Sequence, residues 1–138
     1  MTSASNAPPR APMIGAGAIV FRGQDVLLIR RAKPPLDGQW SVPGGGVEFG
    51  EPALDAAMRE LMEETGVEAD LVGLAGVFDF IGEGRHLVLI DYAMRWRSGE
   101  PRAGDDASDA RFFPPEALDG LGLWEETQRA IALARAML

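Results

Sequence analysis

Three consecutive glycines, Gly44, Gly45 and Gly46, follow Pro43 and precede a helix whose two ends are both marked in the sequence. Glycine reaches backbone conformations closed to other residues, so a flexible loop is expected at 44–46. Gly50-Glu51-Pro52 reads as a helix start, with Pro52 near the first helical position, where a missing N–H costs nothing. From Ala53 to Thr65 the residues are good helix formers. Leu54, Ala57, Met58, Leu61 and Met62 recur at helical spacing and predict one apolar face. Gly66 stands where a left-handed C-cap belongs. Any fold for this chain has to be built around that junction of loop and helix.

The acids of this helix run against its energetics. Glu60, Glu63 and Glu64 lie at i, i+3 and i+4 and crowd one side. Like charges at that spacing destabilise a helix by about 0.2–0.5 kcal/mol per pair. In the last turns the macrodipole disfavours each by a further amount of about 0.3–1 kcal/mol. Arg59 can relieve part of this, and a divalent cation between the carboxylates would relieve more. Carboxylate oxygens suit the hard ion Mg²⁺, with Mn²⁺ a second choice. An acidic cluster by itself is more often a solvated face. The glycine loop, Glu51 and the Arg59-Glu60 pair at their fixed spacing favour the metal.

The full order runs Gly45, five residues, Glu51, seven residues, then Arg59-Glu60-Leu61-Met62-Glu63-Glu64-Thr65-Gly66-Val67. It resembles the Nudix box, the signature of hydrolases that cut nucleoside diphosphates linked to another group, and every fixed position of that pattern is filled. The resemblance implies an α/β fold, the Nudix-type α/β/α sandwich with a mixed β-sheet, the box helix on one side and the terminal helix on the other. It also implies roles. Glu60 and Glu64 match direct metal ligands, and Glu63 matches an acid that binds a further metal or acts through coordinated water. Glu51 matches an acid supporting the metal shell, and the Gly44 carbonyl a backbone ligand. Arg59 matches a residue that orients Glu60 by an ion pair. Leu61 and Val67 match core positions.

The general base varies within such enzymes. Asp105, Asp106 and Asp109 lie in a loop before Ala110-Arg111-Phe112-Phe113, and a similar Gly-Asp-Asp-Ala run places an acid near the metal in some sub-families. Asp106 is the chosen candidate, against the ordinary role of Asp in capping loop N–H groups. Glu83 is a weaker one. Arg30 and Arg31 end a strand, where a guanidinium can meet substrate phosphate bidentately. His86, the only histidine, reads as a surface or structural residue, and Trp40 and Phe80 as core before base-stacking groups.

The 138 residues suit one domain, expected over 13–138 behind a disordered leader at 1–12 rich in Ala, Ser and Pro. The absence of cysteine excludes disulfides, thiolate metal sites and Cys nucleophiles. A net charge of −8 disfavours nucleic acid as a partner, while Mg²⁺ can still bridge an acidic protein to a small nucleotide. No secretory signal or membrane-spanning apolar run is expected, so the cytoplasm is the default location and no membrane partner is expected. The resemblance also allows a homodimer.

Strands are expected at 14–21 and 26–31 as a hairpin, at 69–81, at 87–96 and at 110–113, with a closing helix at 124–137. The stretches DYAMRW and GDDASDARFF look more like the ADP-ribose-pyrophosphatase side of the family. The expected activity is therefore Mg²⁺-dependent hydrolysis of the pyrophosphate linkage in ADP-ribose or a related nucleotide sugar. Hydrolysis of nucleoside triphosphates, oxidised ones included, is the alternative within the enzymes. A non-catalytic nucleotide-sensing Nudix module is the alternative of another class.

Overall fold

β1 (Met13–Arg22) and β2 (Asp25–Arg31) form a hairpin turned by Gly23 at φ 62°. In this computed structural model, which describes residues 10–34, 36–82 and 84–138, the two strands then part. They pair only at Phe21↔Val26 and Arg22↔Asp25. The edge of β1 so released takes up β4 (Gly44–Gly46) in antiparallel register, Gly15↔Gly46 through Gly17↔Gly44. β2 pairs with β3 (Trp40–Ser41) and along its length with β7 (Ala107–Phe113).

On its other edge β1 runs parallel to β6 (Arg85–Ser98), which pairs antiparallel with β5 (Glu68–Gly82). The order is β3-β2-β1-β6-β5, with β4 and β7 off that path. The sheet is thus mixed, as expected. The glycines expected in a loop are instead a short strand. Their lack of side chains permits it, since a Cβ on Gly44 would stand 2.6 Å from the Ala16 carbonyl oxygen.

Side chains alternate along β1 between two cores. Ala16, Ala18 and Val20 pack with Ala56, Ala57 and Leu61 of α1 (Ala53–Thr65). Ile19 and Phe21 pack with Ala130, Ile131 and Ala134 of α2 (Glu125–Ala136). Both faces of β1 are buried, as a central parallel strand requires. Each large side chain so buried contributes about 1.5–3 kcal/mol. Gly66 caps α1 at φ 72°, its N–H donating to the Met62 carbonyl.

Met62, expected on the apolar face, is 44% exposed. The buried arc of α1 is rotated toward Ala57, Leu61 and Glu64, so a carboxylate lies where a hydrophobe would be the ordinary choice. A 3₁₀ helix (Pro115–Leu121) precedes α2 where the sequence suggested no element. Most of the leader expected at 1–12 lies outside the described residues. Among the described residues no helix is long and apolar enough to cross a membrane.

Candidate active site

The three glutamates of α1 differ sharply in environment. Glu64 is 3% exposed. Its Oε1 accepts the Gly44 N–H at 2.7 Å and its Oε2 accepts Arg31 Nη1 at 3.0 Å. Burial pushes its carboxyl up to about 7, against the opposing pull of Arg31 and the Gly44 amide, with Glu60 and Asp106 adding to the rise. Glu60 lies against bare backbone, since a Cβ on Gly45 would be 2.6 Å from its carboxyl carbon. Glu63 is the most exposed of the three.

Arg59 holds the outer acids together. Its Nε and Nη2 donate to both oxygens of Glu51, at 2.8 and 3.0 Å. Nη1 donates to Glu60 at 2.9 Å and lies 3.3 Å from Glu63 Oε2, and Nη2 reaches the Gly46 carbonyl at 3.1 Å. The Arg59 contact, first, and the Glu48 N–H hold Glu51 below the usual carboxylate range.

The C-terminus of α1 is capped by the loop that follows β6. Arg102, Gly104 and Asp105 donate their N–H groups to the carbonyls of Thr65, Glu64 and Glu63. Much of the strain expected from acids in the last turns is thus offset by the protein itself, through Arg59, Arg31 and this loop. What favours a cation instead is the burial of Glu64 and the oxygen donors around it.

The same loop delivers Asp106, the one described non-glycine residue with positive φ, at 61°. Asp tolerates this left-handed region better than most residues. Its carboxylate pairs with Lys33, whose ammonium is raised above its usual range chiefly by that hydrogen bond. Asp105 contributes its backbone to the helix cap. Asp109 bonds the Ala110 N–H and pairs with Arg111.

A cavity of about 370 Å³ opens on the α2 face of the sheet. Gly15 and Gly17 of β1, the β4 glycines, Arg31, Lys33, Asp106 and Asp91 line it, with Phe78, Phe80 and Trp124 as an aromatic wall. Phe80 and Trp124 stack at 4.5 Å with 13° between their planes. Glu60, Glu63 and Glu64 are not among the lining residues, and the glycine strand stands between them and the cavity.

Arg31 belongs to both sides. Arg30 does not line the cavity, since successive strand side chains point to opposite faces, and its Nε donates to the Gly38 carbonyl instead. Trp40 packs edge-on against Phe113, in the core as expected, whereas Phe80 reaches the cavity. His86 is exposed beside Asp79. Glu83 lies outside the described residues. Sequence reasoning missed Lys33, Trp124 and Asp91, although Asp91 had a signal as a lone acid inside an apolar strand.

A NUDIX domain matches residues 11–134. The chain belongs to the Nudix family. It is 37% identical to an ADP-ribose pyrophosphatase of Methanocaldococcus jannaschii over 74% of this chain, an alignment that spans 62% of that relative's length. It is 45% identical to a Mycobacterium tuberculosis protein provisionally named 8-oxo-dGTP diphosphatase 2, over 67% of each chain. The crystal structure of a MutT NUDIX hydrolase from Burkholderia pseudomallei superposes with a TM-score of 0.79 at 35% identity, covering 90% of this chain and 98% of that one.

Nudix hydrolases generally use divalent metal ions. Among the described residues no group of three or more acidic, histidine or cysteine side chains is drawn up around a cation position, and Arg31 and Arg59 engage the Nudix-box acids. The donor chemistry nevertheless fits a hard cation. Every candidate is an oxygen, each carboxylate has lone pairs beyond those its arginine takes, and a dication would offset the buried charge of Glu64.

Proposed function

We propose that the chain is a Mg²⁺-dependent pyrophosphohydrolase of a nucleoside diphosphate derivative, with ADP-ribose as the leading substrate. The observation that carries this reading is the burial of Glu64 against the Gly44 backbone, at the glycine wall of a cavity large enough for a nucleoside. The similarity to the M. jannaschii enzyme supports ADP-ribose. The similarity to the M. tuberculosis protein favours a second reading, an oxidised purine nucleoside triphosphate.

In this reading Glu60, Glu63, Glu64 and the Gly44 carbonyl hold the ion, with Glu51 supporting them through Arg59. When bound, Mg²⁺ neutralises phosphate oxygens and lowers the pKa of a coordinated water. Arg59 fixes the outer carboxylates on a rigid helix, which sets their geometry better than a loop would. Arg31 orients Glu64 from the cavity side and also faces the phosphates. Asp106 stands at the cavity, placed to accept the proton of the attacking water, and Lys33 beside it attracts the phosphate. The Phe80–Trp124 stack offers a flat apolar surface to a base.

The test is a panel of ADP-ribose, nucleotide sugars and canonical and 8-oxo nucleoside triphosphates with Mg²⁺ or Mn²⁺, resolved by chromatography of the monophosphate products. ADP-ribose is expected to yield AMP and ribose phosphate. Melting shifts across the panel without product from any member would reject hydrolysis.

A further inference from the structure

Asp91 lies on the strand face of β6 that also carries Leu87, Leu89 and Ala93. Leu87, Leu89 and Asp91 line the cavity, and Ala93 joins the core under α2. One acid therefore interrupts an apolar stripe. It is 6% exposed. Burial alone acts on its carboxyl, with no hydrogen bond or neighbouring charge among the described residues to offset it. A buried charge without a partner is costly, and selection for stability alone would place another leucine there.

The surroundings are shaped to admit it. A Cβ on Gly17 would stand 2.5 Å from Asp91 Oδ1, and a Cβ on Gly15 would stand 3.0 Å from Leu89 Cδ2. Glycine inside a strand weakens it and marks a place of close approach. Gly17 pairs with Asp91 on one edge and with Gly44 on the other. Asp91, Gly17 and Gly44 thus form one row across three strands, and two strand spacings, about 10 Å, separate its ends. A phosphate held at the Gly44 end leaves the rest of a nucleotide over Asp91, beside Phe78, Phe80 and Trp124.

We propose that Asp91 is a specificity-determining residue that accepts two adjacent hydrogen-bond donors from the nucleoside half of the ligand. The inference rests on the nucleotide reading above. A carboxylate presents two coplanar acceptors and matches paired donors bidentately. Two sources on a nucleotide have that form: a purine edge with a ring N–H next to an amine, and the ribose diol.

The experiment titrates GMP, IMP, AMP and 2′-deoxy-GMP into the full chain and into Asp91→Asn by calorimetry with Mg²⁺. Monophosphates have no pyrophosphate linkage, so binding is read independently of turnover. KM and kcat are measured beside it for whichever substrate the panel identifies. Asp91→Asn keeps the shape and is expected to fold, which a melting curve checks. The expected result is at least tenfold weaker binding and at least tenfold higher KM, with kcat within threefold.

Tighter binding of GMP than IMP in the wild type, lost in the variant, assigns the donors to the base. Tighter binding of GMP than 2′-deoxy-GMP, lost in the variant, assigns them to the ribose. Affinities and KM unchanged by Asp91→Asn, or no monophosphate bound by the wild type, would overturn the proposal. Binding that depends on Asp91 without hydrolysis of any substrate would reject the hydrolase reading and leave this one standing.

Discussion

Two buried carboxylates, Glu64 and Asp91, face opposite fates in this protein. Glu64 has Arg31 and the Gly44 amide as partners, whereas Asp91 has burial alone. Glu64→Gln keeps the shape and removes the charge. A rate loss of at least tenfold is expected, about 1.4 kcal/mol of barrier, with stability unchanged or slightly raised, measured by steady-state kinetics beside thermal melting. Turnover equal to wild type would remove Glu64 from the proposed metal site. Burial pushes the Asp91 carboxyl up to about 6 from 3.8. Between those values the folded state holds a proton that the unfolded state has released, so this group's contribution falls as pH rises and is most unfavourable above about 6. Asp91→Asn is therefore expected to add up to about 3 kcal/mol at pH 8 and almost nothing below pH 4, read from urea unfolding of both proteins.

At the scale of elements, α1 and the loop after β6 act as one unit. Gly104 lies so close to the end of the helix that an added Cβ would sit 2.0 Å from the Glu63 carbonyl oxygen, with two further backbone atoms near 3 Å. Backbone cannot yield as a side-chain tip can. Gly104→Ala is expected to cost roughly 1–3 kcal/mol and to lower activity by displacing Asp106. Denaturant unfolding and kinetics of the variant check both, and wild-type stability would refute the coupling. The limits of α1 were legible because Pro52 and Gly66 mark them locally. Its buried arc was not, because Met62 and Glu64 trade places relative to their hydrophobicity, and only the packing against β1 and β4 decides which is covered. The β4 strand escaped the sequence reading for a similar reason. Three glycines have no propensity for a strand, and their pairing comes from the edge that β1 offers. Asp106, chosen from its loop, lines the cavity, whereas Arg30 could not be separated from Arg31 without knowing which face of β2 turns to the cavity.

Across the whole molecule, the proposed ion would compete with a proton at Glu64, whose carboxyl burial pushes up to about 7. Mg²⁺ is expected to raise the melting temperature, and the rise should grow from pH 6 to pH 8 at fixed Mg²⁺. A rise that is flat or shrinks over that range would exclude Glu64 as a ligand. The fold class was legible from the box and the strand pattern. The cavity was not, because its walls come from β1, β4, β6 and α2, which are remote in sequence and meet only through the sheet register.

The glycine strand between the acids and the cavity has a consequence for the history of such a chain. Three residues without side chains lie between the helix acids and the lining of the cavity. Leu87, Leu89, Asp91 and Trp124 line the cavity, so in the proposed reading changes there alter what is admitted without moving a carboxylate of the helix. In the proposed reading, a duplicated copy can acquire a new diet by drift at those four positions while keeping the helix acids unaltered.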